Sequence, residues 1–208
     1  MTLEELTRAA RAAQLDLFGH VADGAATVLL LGPHEPGFWA VFSSAPEYLD
    51  GRPDPLDRWS KRVIGGLAAA WEGEAVFPSD GPPYPPFFAW AQESGRAWSS
   101  PVTLLVHDRA GLWVSFRGAV RLPYVLSPTA LQPRPCDACA KPCETACPVG
   151  ALTADGYDVP RCHTYLETEA GQSCLTGGCA VRVVCPLSQT YGRLNEQSHF
   201  HMKAFHPK

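Results

Sequence analysis

The chain has 208 residues, of which 46% are hydrophobic and 18% charged, with a formal net charge of −4. That much apolar material excludes wholesale disorder, and no uninterrupted apolar run approaches the ~18 residues of a transmembrane helix. The slight acidity argues against a general nucleic-acid binder, which would carry a basic patch. The opening Met1-Thr-Leu-Glu-Glu-Leu6 has no basic n-region and no apolar h-region, so the expectation is a cytoplasmic protein without a membrane partner.

Residues 3–14 carry Leu3, Leu6, Ala9, Ala10 and Ala13 at helical spacing, with Thr2 placed as N-cap and Glu5 three residues on. Ala26 to Leu31 is a short continuous apolar run that stops at Gly-Pro, as expected of a strand buried on both faces. Pro36 is placed to open a helix carrying Phe38, Val41 and Phe42. Asp54-Pro55 reads as N-cap and first residue of a second helix reaching Trp71, with Leu56, Trp59, Val63, Ile64 and Leu67 apolar. Residues 78–86 hold five prolines and one glycine and read as a loop, and Phe87 to Gln92 as a short helix. Val102 to His107, Asp108 to Gly111 and Leu112 to Val120 then read as strand, turn and strand, a β-hairpin.

The two rarest informative residue types separate along the chain. All six tryptophans (Trp39, Trp59, Trp71, Trp90, Trp98, Trp113) precede residue 114, and all eight cysteines follow residue 135. Between them, Leu122 to Pro135 contains four prolines and suits an extended connector. This ordering predicts two domains, residues 1–130 and 131–208, both α+β.

The chemistry concentrates in the cysteine half. Cys136, Cys139, Cys143 and Cys147-Pro148 are spaced C-x2-C-x3-C-x3-C-P, one residue longer than the C-x2-C-x2-C-x3-C-P run of bacterial ferredoxins. Short spacing lets thiolates from one loop reach several irons of one cubane. Cys162, Cys174, Cys179 and Cys185-Pro186 follow, so eight cysteines make two complete four-thiolate sets. Disulfides would need an oxidising compartment. Structural zinc usually takes two separated C-x2-4-C halves rather than four cysteines in one run. Soft thiolates at this spacing point to iron.

Residues 136–186 resemble two-cluster ferredoxin domains, and among them those of the epoxyqueuosine reductases. Arg161-Cys162-His-Thr-Tyr-Leu166 is similar to the segment between that family's cysteine groups, and Val183-Val-Cys-Pro186 to its final cysteine motif. Cys174 and Cys179 are more widely spaced than the family's corresponding pair. The resemblance implies two [4Fe-4S] clusters in the crossed ferredoxin arrangement: Cys136, Cys139, Cys143 and Cys185 on one, and Cys147, Cys162, Cys174 and Cys179 on the other. Ala12 to Gly19 resembles the opening segment of the same family. Leu104 to Pro123 resembles a strand–turn–strand of the cobalamin-processing protein CblC. These imply a nitroreductase-like (CblC-like) N-terminal domain that binds a corrinoid, followed by a small ferredoxin-like domain. Arg117 matches an arginine of the CblC thiol-cofactor site and is the candidate cofactor contact.

The expected function is electron transfer from a redox partner protein, through two [4Fe-4S] clusters, to a cofactor or substrate in the N-terminal domain, with cobalamin as the leading candidate. The alternatives are a ferredoxin with an accessory docking domain and a zinc-stabilised interaction module. Asp108 reads as a turn residue rather than a proton donor. In the tail, His199 and His201 would share a face only on a strand, and His206 follows. That segment reads as a docking segment packed by Phe200, Met202 and Phe205 rather than as a set of metal ligands.

Overall fold

The computed structural model describes residues 1–128 and 130–207. They form two compact units: Met1–Ala97 with Ser115–Gln132, and Trp98–Val114 with Pro133–Lys208. The architecture is α+β.

The first unit opens with α1 (Leu3–Ala12), whose Thr2 and Glu5 form the expected capping box: Glu5 N–H donates to Thr2 Oγ1 at 3.2 Å and Thr2 N–H to Glu5 Oε2 at 2.8 Å. Strand β1 (Leu15–Asp23) follows and pairs antiparallel with β2 (Ala26–Pro33), with an irregularity at Phe18. All of β2 is buried, as its unbroken apolar run requires. Gly32 is needed there, because a Cβ would stand 2.1 Å from the Phe18 ring.

Helix α2 (Phe38–Ser43), with Gly37 at its N-cap, starts two residues later than the expected opening at Pro36, whose peptide bond to Glu35 is cis. After α3 (Pro46–Leu49), the long α4 (Pro55–Ala70) buries Leu56, Trp59, Ser60, Ile64 and Ala68, one face at helical spacing. Asp54 stands at its N-cap in a left-handed conformation (φ 53°) and makes no side-chain cap bond, because capping needs extended backbone at that residue. Strand β3 (Glu74–Val76) and helix α5 (Phe87–Glu93) come next, the latter as expected.

The expected hairpin over 102–120 is not formed. The chain makes two short strands, β4 (Ala97–Ser99) and β5 (Leu105–His107), which pair with each other. It then returns to the first unit as β6 (Gly118–Leu122). Strand β6 lies between β2 and β3, antiparallel to both, in a four-stranded sheet of order β1-β2-β6-β3. The turn itself lies where expected: His107 and Gly111 exchange two backbone hydrogen bonds of 3.0 Å. The second strand of the expected hairpin is instead β6, which finds its partners in β2 and β3, far off in sequence. Sequence proximity therefore misled the division as well: the single boundary near residue 130 leaves Trp98–Val114 on the wrong side, and Trp98 and Trp113 belong with the cysteines.

In the second unit a 3-10 turn (Pro142–Glu144) carries Cys143. A two-stranded ribbon follows, β7 (Leu152–Thr153) with β8 (Gly156–Tyr157). Five short helices complete it: α6 (Val159–Leu166), α7 (Gln172–Gly177), α8 (Ala180–Val183), α9 (Pro186–Thr190) and α10 (Asn195–Phe205). The tail, which had no assigned element, is thus helical, so His199 and His201 do not share a face. Among the described residues no helix is long and apolar enough to cross a membrane.

Candidate metal centre

The cysteines lie in loops and in or at the heads of short helices. Cys136 and Cys139 lie on the loop after the proline connector, and Cys143 on the 3-10 turn. Cys162 is in α6 and Cys174 in α7, while Cys179 and Cys185 are the N-cap residues of α8 and α9. Elements this short bury little apolar surface of their own. Their thiols supply part of the packing: Cys143 and Cys185 belong to a core with Val102, Val106, Leu112, Leu152 and Val181, and Cys174 to a second core with Leu166 and Leu175.

All eight cysteines are free thiols. The thiolate charge at Cys136 is opposed by Cys139 and Cys185, and that at Cys143 by Cys136, Cys185 and Cys139. The charge at Cys162 is opposed by Cys179, Cys147 and Cys174, and that at Cys179 by Cys174. Cys143 is thus within electrostatic reach of Cys136, Cys139 and Cys185, and Cys162 within reach of Cys147, Cys174 and Cys179, while Cys147 and Cys179 also pack against the core that holds Cys143 and Cys185. Among the described residues no three His, Cys, Asp or Glu side chains are arranged to hold a single metal ion.

Burial pushes the thiols of Cys136, Cys143, Cys162 and Cys179 above the ordinary cysteine value. Burial also acts on Cys147, but there backbone N–H groups of Val149, Leu152, Ala151 and Gly150 outweigh it and bring the thiol below that value. Ala151 N–H donates to Cys147 Sγ at 3.2 Å, and Lys141 N–H to Cys139 Sγ at 3.3 Å. The hydroxyl of Tyr157 is hydrogen-bonded to Cys162, and burial raises its own pKa. Arg182 lies beside Cys179, and burial lowers the pKa of its guanidinium. Sequence reading missed Tyr157 and Arg182. The only signal for either was position, five residues before Cys162 and three after Cys179.

The tail histidines have other employment. His199 Nδ1–H donates to the Leu175 carbonyl at 2.8 Å. His206 is buried against the ring of His163, centroids 4.7 Å apart. Met202 and Phe205 pack on the Leu166, Cys174 and Leu175 core, which makes the tail a packing segment as expected. Asp108 lies in the turn after β5, beside His107, whose Nδ1 accepts the N–H groups of Arg109 and Ala110 at 3.2 and 3.3 Å.

In the first unit, Arg117 lines a cavity of about 300 Å³ with Asp57, Ser60, Lys61, Phe77 and Phe116 among its walls. Its backbone N–H holds the Leu31 carbonyl at 2.8 Å and its Nη2 donates to Ser115 Oγ at 2.9 Å, while its Nε is buried without a hydrogen-bond partner. Burial pulls its pKa down, opposed by the charge of Asp57. No family model, curated protein or solved structure matches the chain.

Proposed function

We propose that the chain is an iron–sulfur electron-transfer protein. Cys136, Cys139, Cys143 and Cys185 would hold one [4Fe-4S] cluster, and Cys147, Cys162, Cys174 and Cys179 the other. The observation that carries this reading is that all eight free thiols lie in the second unit, with Cys143 in electrostatic reach of Cys136, Cys139 and Cys185, and Cys162 in reach of Cys147, Cys174 and Cys179. The donor set fits the group. Thiolates are the ligands of such clusters, and N–H groups directed at Cys139 and Cys147 are the outer hydrogen bonds that thiolate ligands take.

When bound, such clusters supply one-electron chemistry at potentials that can be strongly reducing. The protein's own contribution is to bury the thiols among Val102, Leu112, Leu152 and Val181 and to aim backbone donors at their sulfurs. A redox partner protein would deliver the electrons, and a nitroreductase-like first unit would hold the acceptor. The four-stranded antiparallel sheet with helices is compatible with such a unit, and Arg117, in its cavity, is the candidate contact for a small anionic cofactor or substrate. A corrinoid is the leading acceptor on chemical grounds, since its low-valent state demands a strong reductant.

The test is anaerobic purification with metal analysis, followed by titration with cob(II)alamin. About eight irons per chain and absorption bleached by dithionite are expected, with a change of the cobalamin spectrum on binding. Zinc without iron would leave an interaction module. Iron without any cobalamin response would leave a ferredoxin with an accessory domain.

A further inference from the structure

The surroundings of the two thiol sets differ in charge. Beside the second set stands Arg182, which touches Cys179 and Tyr157 electrostatically and is held by a 2.5 Å hydrogen bond from Nη1 to the Leu112 carbonyl. Tyr157 donates its hydroxyl to Cys162, and its ring is fixed by stacking on Phe205 at a centroid distance of 6.0 Å. Ala151 N–H donates to Cys147 at 3.2 Å, with the N–H groups of Val149, Gly150 and Leu152 directed at the same sulfur.

The first set has less. Lys141 N–H reaches Cys139. The cation acting on Cys136 is Arg134, whose side chain is 43% exposed and lies 3.9 Å from the Asp137 carboxylate. Water screens that guanidinium and the carboxylate opposes it. Solvent does not reverse the comparison: Cys143 and Cys185 are buried in the first set, and only Cys174 in the second.

Reduction of a thiolate-ligated cluster adds one negative charge. Nearby donors and a desolvated cation stabilise that added charge, and so raise the potential. We infer that the centre held by Cys147, Cys162, Cys174 and Cys179 has the higher reduction potential of the two, set by Arg182 and Tyr157, so that an electron entering the chain comes to rest there. The inference rests on the two-cluster reading. In the step it describes, an external one-electron donor is oxidised as one centre is reduced. An electron on the Cys136 set then passes to the other set, and no bond forms or breaks.

The test is a reductive titration of the anaerobically purified full chain, followed by electron paramagnetic resonance. The wild-type chain should show two one-electron waves. Arg182→Gln should move the upper wave to lower potential and leave the lower wave in place, while Arg182→Lys should return it toward the wild-type position. Tyr157→Phe, which leaves the bond to Leu112 intact, should move the same wave in the same direction by less. Arg134→Gln should leave the upper wave unmoved. If Arg182→Gln loses its iron, Tyr157→Phe alone decides. A chain with about eight irons whose upper wave ignores the decisive variants, or whose lower wave moves instead, overturns the inference alone. A wild-type chain without iron overturns the two-cluster reading and the inference with it.

Discussion

Leu112 N–H donates to Ser188 Oγ at 2.9 Å, a buried bond between residues 76 apart in sequence. It ties the stretch after β5 to α9 within the second unit. Beside it, Gly111 has φ +56° and a Cβ there would lie 2.5 Å from Ser188 N, so only glycine fits. Ser188→Ala leaves the Leu112 N–H buried without a partner and should cost about 1–3 kcal/mol. Gly111→Ala should be at least as damaging. Denaturant unfolding of each variant reads the cost, and a midpoint unchanged from wild type would show that the bond does not hold these segments together.

The acid sensitivity of the first unit should reside in the pairs between α3 and α4. Arg62 donates to both oxygens of Glu47 at 2.5 and 3.0 Å, and Arg58 to both of Asp50 at 2.8 and 2.7 Å. These hydrogen bonds hold both carboxyls below their ordinary values. A depressed carboxylate contributes stability that is present above its unfolded pKa and lost as pH falls through the folded one. Thermal melts should therefore lose stability as pH drops below the ordinary carboxylate range near 4. Glu47→Gln should flatten that loss, and added salt should shrink it because the pairs are solvent-facing. A pH profile identical in the variant would contradict this assignment.

Arg117 has its Nε buried without a hydrogen-bond partner, and the carboxylate of Asp57 in the same cavity does not offset the burial that lowers its pKa. Such a group is costly to the fold. Arg117→Met should keep the stem's packing, remove the buried charge and raise the melting temperature. A lowered melting temperature would mean that the guanidinium's bond to Ser115 outweighs its desolvation.

Cys139→Ser should remove one cluster and leave the other, because it strikes only the Cys136 set. The iron count should fall by about half. The second unit should also unfold more readily, since metal binding is coupled to folding. Full iron in this variant would contradict the ligand assignment.

Local elements were the legible part of the fold. Thr2 with Glu5, the apolar run of β2, Pro55 at the head of α4 and Phe87 in α5 each carry a signal within one turn or strand of the chain. Strand β1 escaped because its buried positions include Asp16, which receives Arg11 Nε at 3.2 Å, and His20, which bonds the Ser127 carbonyl at 3.0 Å. Those partners are invisible to a pattern of apolar residues. The hairpin error has the same origin: β6 is strand-like in sequence, but its pairing with β2 and β3 is long-range. At the site, the eight cysteines were readable from their spacing, and their division by fours was what the resemblance implied. Arg182 and Tyr157 were not, because their meaning lies in what they touch.

Native mass spectrometry of the anaerobically purified chain tests the central claim most directly. The account predicts two successive mass increments, each corresponding to four irons and four sulfides. A chain carrying zinc ions, or only the bare polypeptide mass after reconstitution with iron and sulfide, would contradict it.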